Sequence, residues 1–302
     1  MKPFTITVLG TSSAVPTAER YLSAHVLNVC EHFFLFDCGE ATQIRLRQEK
    51  IPLSKIYHIF ISHLHGDHFF GLFGLLSSFK INNLMHEVHI YAHKPLKKIL
   101  YTVIDKNELN FKINFHQLNT SEYEMIYEDK NITIHSFPLK HRIESCAFIV
   151  KQKKELLKIK KEKISEYNLS ISDIIKIKNG EDYIDSNGKI IPNSVFTYPP
   201  EKQRLYAYIT DTVYNESILP YIFDADLIYH ESTFIEEHKF IAEASGHSTA
   251  LQAANIAKLA NAKKLLLGHF SVRYKDRNVF LQEAQKVFKD TILATEGLRI
   301  TF

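Results

Sequence analysis

The seven residues Ser62-His63-Leu64-His65-Gly66-Asp67-His68 constrain this chain more than any other stretch. Three histidines and an aspartate fall within six positions, directly after the strand-like run Tyr57-His58-Ile59-Phe60-Ile61. Imidazole nitrogen and carboxylate oxygen are ligands that borderline divalent metals such as zinc prefer. With 16 histidines in 302 residues, scattered ones need no explanation, but this concentration at a strand end does. One tight turn cannot wrap four ligands around a single ion. His63 and His65 alternate as the last residues of a strand do and reach the same side. Gly66 permits a sharp reversal, after which Asp67 and His68 project from the next element. The spacing therefore predicts two neighbouring metals, one served by His63 and His65 and the other by Asp67 and His68.

The rest of the chain alternates strands and helices. Phe4 to Leu9 reads as a strand ending in the small-residue loop Gly10 to Pro16. Ser23 to Cys30 and His32 to Phe36 read as a β-hairpin closed by Asp37-Cys38-Gly39-Glu40, with a short helix from Ala41 to Glu49. Asp37 is either a turn former or a residue supporting the metal turn. Phe69 to Phe79 and Pro95 to Val103 read as helices; Val88 to Tyr91, Asn114 to Leu118, Asn131 to Phe137 and Cys146 to Val150 read as strands. Later strands are expected at Leu205 to Thr210, Leu227 to His230, Lys263 to Leu267 and Leu298 to Phe302, with a last helix from Asn278 to Lys289. Thr249-x-x-Gln252 has capping-box spacing, so a helix should start there, with His247 just ahead of it. His141, Asp211 and His269 each follow an apolar, strand-like run, and loops at one edge of a sheet converge on a common site.

Residues 151–163 break this pattern with seven lysines against two glutamates, and the composition stays Lys-, Ile- and Asn-rich to Pro200. Residues 151–200 read as an inserted basic arm projecting from a body that otherwise occupies 1–302 as one domain. On charge pattern alone the lysines are either a solvated amphipathic helix or a polyanion-binding surface. The net charge of +3 is too small to imply nucleic acid by itself. Cys30, Cys38 and Cys146 are odd in number and lack CxxC spacing, which speaks for a reducing compartment. The opening Met1-Lys2-Pro3-Phe4 has no basic-then-apolar leader, and no run approaches a membrane span. The expectation is a cytoplasmic protein with no membrane partner.

His63-x-His65-x-Asp67-His68 resembles the signature of the metallo-β-lactamase superfamily, which implies an α+β fold, the αββα sandwich. By that resemblance the Gly10 loop and the Asp37 turn line the floor of the site. It also implies that His141 completes the first metal's ligands, that His269 joins Asp67 and His68 on the second, and that Asp211 bridges both. Two Zn²⁺ per chain are expected, although Mn²⁺ or Fe suits such ligands too. His247 is the candidate proton donor, with Glu231 orienting it, and Asp67 the candidate acceptor of the water's proton.

Further stretches resemble the ribonuclease Z family, which removes the 3′ trailer from precursor tRNA. They include Leu9 to Pro16, Phe36 to Gln43, Gly71 to Leu76, Thr210-Asp211-Thr212, His230 to Phe234, Gly246 to Thr249 and Leu267 to Phe270. The resemblance implies a zinc-dependent endoribonuclease, commonly a homodimer, that leaves a tRNA 3′-hydroxyl and a 5′-phosphate on the trailer; DNA is not an expected partner. It also turns the arm into a tRNA-gripping exosite, with Lys151, Lys153, Lys154, Lys158, Lys160 and Lys161 as phosphate contacts. Lys202 and Arg204, in the return stretch Pro199 to Arg204, either touch RNA or are solvated. Family exosites often carry a Gly-Pro pair that this insertion lacks. The rival reading is a small-molecule phosphodiesterase or arylsulfatase of the same fold, which needs no lysine-rich arm.

Overall fold

In the computed structural model, which describes residues 4–200 and 202–302, the chain divides into two compact units. One comprises residues 1–151 and 204–302, the other residues 152–203. Met1 to Pro3 and Glu201, which the sequence reading touched, lie outside the described residues.

The larger unit is built on two seven-stranded sheets. The first contains β1 (Phe4–Gly10), β2 (Ala24–Val29), β3 (His32–Phe36), β4 (Ile56–Phe60), β5 (Val88–Ala92) and β6 (Ile113–Gln117). The second begins with β7 (Glu124–Glu128), β8 (Ile132–Leu139) and β9 (Ser145–Gln152). The smaller unit contributes the two-stranded pair β10 (Tyr183–Ile184) and β11 (Ile190–Ile191). The second sheet then resumes with β12 (Leu205–Ile209), β13 (Leu227–Glu231), β14 (Leu265–Gly268) and β15 (Thr291–Leu293), and β16 (Arg299–Thr301) closes the first sheet against β1.

Strand composition explains the layering. β4 and β5 alternate between Ile59 or Ile90, which pack under helices, and Phe60 or Tyr91, which face the other sheet. The helix Gly71–Ile81 supplies Leu72, Leu75, Leu76 and Phe79 to the outer layer on the first sheet. Between the sheets Phe36, Phe60 and Tyr91 meet Phe148, Tyr206, Tyr208 and Tyr229, with Phe36 and Phe60 rings 5.2 Å apart. Outside the second sheet, Ala253, Ile256 and Ala257 of the helix Ala250–Leu259 cover Ile209, Ile228 and Leu267. Each large apolar side chain so buried contributes about 1.5–3 kcal/mol. The result is the expected αββα sandwich.

Topology places the site. β12, β13 and β14 are parallel neighbours, with Ile209 opposite His230 and Glu231 opposite Gly268. Their carboxyl ends therefore lie at one edge and deliver Asp211, Glu231 and His269 together. On the first sheet the parallel β3 and β4 end side by side at Phe36 and Phe60. Cys38 N–H donates to His68 O (2.7 Å) and Gly71 N–H to Cys38 O (2.9 Å), so the turn after β3 is clasped to the metal turn after β4.

Several expectations shift. The 69–79 helix is interrupted at Phe70, splitting into Gly66–Phe69 and Gly71–Ile81, and the last helix ends at Ala284 rather than Lys289. β7 was not anticipated, because its residues Glu124, Met125 and Glu128 are exposed and show no apolar alternation. The expected arm boundary at 151 is corrected, since Lys151 pairs with Leu205 across β9 and β12 in the larger unit. Nor do residues 151–163 form one amphipathic helix: the helix starts only at Lys161, and Leu157 and Lys160 make backbone bonds to Lys178 O and Phe196 O. The smaller unit has its own core of Leu169, Ile177 and Phe196, on which Tyr167 and Tyr183 pack.

A Cβ on Gly71 would overlap the Gly39 carbonyl oxygen in the clasp between the two turns. Gly71→Ala should therefore cost about 2 kcal/mol or more in urea unfolding. A variant as stable as wild type would show that this approach is not tight.

Candidate metal centre

The site collects side chains from both sheets. His63, His65, His141 and Asp211 offer ligand atoms within 4.8 Å of one another, and so do Asp67, His68 and His269. In the first group His65 Nδ1 lies 3.0 Å from His63 Nε2 and 3.2 Å from His141 Nε2. In the second, His269 Nε2 is 3.3 Å from His68 Nε2 and 3.4 Å from Asp67 Oδ2. Asp211 stands between the groups: Oδ2 is 3.4 Å from His63 Nε2, while Oδ1 is 3.2 Å from His269 Nε2 and 3.4 Å from His68 Nε2. A tetrahedral ion with bonds of about 2.05 Å has ligand–ligand edges of about 3.3 Å. The separations quoted match that edge, while His141 Nε2 stands farther from Asp211 Oδ2, at 3.8 Å.

The outer ring nitrogens decide what the inner ones can be. His68 Nδ1–H donates to Asp37 Oδ2 (2.7 Å) and His141 Nδ1–H to Gly246 O (2.6 Å). Ser62 Oγ–H donates to Asp37 Oδ2 (2.9 Å) and so accepts from His63 Nδ1 (3.0 Å). Thr233 Oγ–H donates to Glu231 Oε2 (2.7 Å) and so accepts from His269 Nδ1 (2.9 Å). Four imidazoles thus commit Nδ1–H outward and turn a bare Nε2 lone pair inward, the tautomer a metal ligand needs. His68 Nε2 and His269 Nε2 face each other at 3.3 Å, a separation that either a shared proton or a metal cation satisfies.

Charge points the same way. Burial alone would lower the pKa of His68, but Asp211, Asp67 and Asp37 outweigh it and raise it well above the usual imidazole range. Burial works to raise Asp67 and Asp211, yet the surrounding imidazoles hold both below the usual carboxylate range. His63, ringed by burial and by His68, is pushed down to about 4. The residues therefore fit a divalent metal: the ionised carboxylates carry an excess of negative charge that draws a proton onto His68 and that a metal cation would neutralise in its place.

A second constellation lies beside the first. Glu231, wholly buried, accepts from Thr212 N (3.1 Å) and Ser248 N (3.1 Å) on Oε1 and from Thr233 N (2.9 Å) on Oε2. His247 Nδ1–H donates to the same Oε1 at 2.9 Å. Burial opposes charge on His247, but Glu231 and then Asp211 raise its pKa to about 9. Local sequence puts it there: Gly246 caps the helix Lys239–Ser245 with φ +80°, where a Cβ would come within 2.7 Å of His141 Nδ1. The expected capping box of Thr249 and Gln252 then opens the next helix.

Residues the sequence reading passed over also belong here. Ala14 N–H donates to Asp67 Oδ2 at 2.8 Å and fixes its orientation. Thr233 links Glu231, His247 and His269, and its only sequence sign is its place after Glu231. Arg142 and Phe70 line the cleft that opens over Asp67, Asp211 and His247. Asp37 proves more than a turn former: it is fully buried, has φ +55°, and accepts from Ser62, His68 and Tyr208. Of the expected RNA contacts, Lys151 Nζ donates to Tyr123 OH and Lys160 Nζ to the carbonyls of Ser194 and Val195, so both serve the fold. Lys154, Lys158, Lys161 and Lys202 are exposed, Lys153 is half-buried, and Arg204 stacks over Phe4.

The chain is similar to known proteins over its whole length. It matches the family model described as Anti-Pycsar protein Apyc1 over residues 4–278. A ribonuclease Z from Phocaeicola vulgatus is 40% identical over 303 residues, spanning 100% of this chain and 98% of the relative. One from Cytophaga hutchinsonii is 42% identical, covering 97% and 95% of the two chains. Among solved structures, human tRNase Z, short form, superposes with a TM-score of 0.71 at 27% identity, covering 98% of each chain. The metallo-β-lactamase fold protein YhfI from Bacillus subtilis also gives 0.71, at 20% identity over 99% of this chain and 100% of the other. The sandwich is therefore a metallo-β-lactamase fold.

Asp37→Asn should weaken divalent-metal affinity about 10–100-fold, because an amide N–H cannot take the proton of His68 Nδ1. His247→Ala should bind metal as wild type does, since seven other side chains, Asp211 among them, already make up the two ligand groups. Titration of the metal-stripped proteins checks both; a loss of metal in the His247 variant would make that residue a ligand.

Proposed function

Since the chain belongs to the ribonuclease Z family, as it does to the family described as Anti-Pycsar protein Apyc1, we propose that it is a metal-dependent endoribonuclease that removes the 3′ trailer from precursor tRNA. The cut falls after the discriminator base and leaves a tRNA 3′-hydroxyl and a 5′-phosphate on the trailer. The observation that carries this reading is the pairing of two ligand groups with the buried Glu231–His247 pair, of which His247 lines the same cleft and offers a ligand atom within 4.8 Å of those of Asp211 and His269. His63, His65 and His141 would hold one Zn²⁺, and Asp67, His68 and His269 a second, with one Asp211 oxygen toward each. Bound there, the ions supply Lewis acidity, making a water nucleophilic near neutral pH and offsetting charge that develops on the phosphate.

The chain's own residues do the rest. With Asp67 Oδ2 held by Ala14 N–H and facing the second ligand group, the other carboxylate oxygen is the one to accept the proton the attacking water gives up. His247, raised to about 9, is protonated at neutral pH; with Nδ1–H on Glu231 its other nitrogen protonates the departing 3′ oxygen. Glu231 keeps its charge through three backbone N–H groups and so fixes both the orientation and the protonation of His247. Arg142 and Phe70 give the cleft a cation and an apolar wall suited to a nucleotide strand.

Within the smaller unit, the exposed Lys154, Lys161 and Lys202 are the proposed phosphate contacts, with Lys153 and Lys158 of the same basic stretch; Arg204 is a proposed contact of the larger unit by itself. A cytoplasmic homodimer belongs to the same reading; among the described residues no helix is long and apolar enough to cross a membrane.

The decisive assay is cleavage of a 3′-extended precursor tRNA by wild type and Asp67→Ala, with zinc added or chelated. One cut at the discriminator base, lost on chelation and reduced at least about 10³-fold in the variant, is expected. No cut by wild type alongside rapid hydrolysis of a small phosphodiester would replace the tRNA reading with the small-molecule one. Because Lys151 pairs with Leu205, residues 153–202 can be exchanged for a short Gly-Ser turn. That exchange should raise KM for precursor tRNA more than about tenfold while a small chromogenic phosphodiester is still hydrolysed. Unchanged precursor kinetics would remove the insertion from RNA binding.

A further inference from the structure

Arg20 and Arg277 line one pocket together with Thr17, Glu19, Tyr274 and Lys275. Both guanidinium groups are partly buried, and among the described residues the buried Nη1 of each has no hydrogen-bond partner. Burial and then the charge of Arg277 lower the pKa of Arg20, so two like charges are held close together. Each guanidinium thus leaves a buried N–H group without a protein acceptor, although the carboxylates of Glu296 and Glu19 also act on Arg20. The backbone keeps them in place regardless. Thr17 Oγ accepts from Arg20 N (3.0 Å) and Thr17 N–H donates to Arg20 O (2.9 Å), while the Arg277 guanidinium lies 6.0 Å from the Phe270 ring centre.

The pocket walls continue from the walls of the metal cleft. Ala14 and Pro16, which line the cleft, lead directly into Thr17–Arg20. His269 leads through Phe270 into the segment that carries Tyr274, Lys275 and Arg277. Ser13 N–H donates to Phe270 O (3.1 Å), which ties the two segments to each other. A guanidinium pair with open N–H groups and a neighbouring lysine suits a tetrahedral oxyanion, which takes paired N–H donors and neutralises both charges.

We infer that Arg20 and Arg277 form a phosphate-binding site beside the metal cleft, and that it takes a backbone phosphate of the RNA strand being cut. The second half rests on the function proposed above. The first half stands on the guanidinium pair alone.

The test uses the full-length, metal-loaded protein and its Arg277→Gln variant. Millimolar inorganic phosphate should raise the Tm of wild type more than that of the variant, whose remaining rise reports other anion sites such as the metal centre. KM for a 3′-extended precursor tRNA should increase about tenfold in the variant, and Arg20→Gln should match it. A phosphate-dependent difference in Tm with unchanged KM would overturn the RNA assignment and leave a site for free phosphate. Equal responses to phosphate and equal KM would overturn the proposal entirely. If wild type cuts no precursor, the functional reading fails, and the phosphate titration still decides the site.

Discussion

The carboxylate of Asp37 holds the molecule's two halves and its chemistry together. It sits at the end of the first sheet's third strand, fully buried, in the left-handed region that Asp tolerates better than most residues. Oδ1 accepts from Ser62 N (2.7 Å); Oδ2 accepts from Ser62 Oγ, His68 Nδ1 and, across the sandwich, Tyr208 OH (2.9 Å). A buried carboxylate without partners would cost several kcal/mol, so these four donors decide whether the turn can exist. Through Ser62 the same group also fixes the tautomer of His63. Loss of this one anion would release the orientation of a residue in each ligand group and a link between the sheets.

That arrangement explains why the site forms at one edge. Parallel strands of the second sheet bring Asp211, Glu231 and His269 to their carboxyl ends, while the clasp of Cys38 on His68 and Gly71 brings the histidine turn opposite them. The aromatic layer of Phe36, Phe60, Tyr208 and Tyr229 fills the space between. Buried Tyr208 spends its hydroxyl on Asp37, so the apolar layer and the polar site share a residue, and packing supports ligand geometry directly.

How much of this was legible depends on sequence distance. His63, His65, Asp67 and His68 stand out because a strand end and a turn place them together locally. His141, Asp211 and His269 are brought in from far along the chain; each shows only a position after an apolar run, and resemblance carried their assignment. The Thr249–Gln252 capping box was readable because it is a short-range hydrogen-bond pattern, whereas Thr233 was not, because its three partners lie on different segments. Arg20 and Arg277 lie 257 positions apart (277 − 20) in unremarkable loops, and nothing local marks them as neighbours. The lysines of 151–163 misled in another way. Composition shows charge but not commitment, so Lys151 and Lys160 looked like their exposed neighbours until their ammonium groups were found on Tyr123 and on two carbonyls.

Asp211 and Glu231 show how one site gives two buried carboxylates different work. They come from adjacent parallel strands and both are buried. Glu231 is met by three backbone N–H groups and the Thr233 hydroxyl, so its charge is neutralised by fixed dipoles and it has one task left, the proton on His247. Asp211 receives a hydroxyl from Thr210 on Oδ1, but both of its oxygens otherwise face ring nitrogens at 3.2–3.4 Å whose lone pairs point inward. An anion satisfied by backbone donors orients an acid, and an anion left facing lone pairs demands a cation. In the proposed reaction, the donors surrounding each group, rather than the acidic residue type, would separate proton transfer from metal binding.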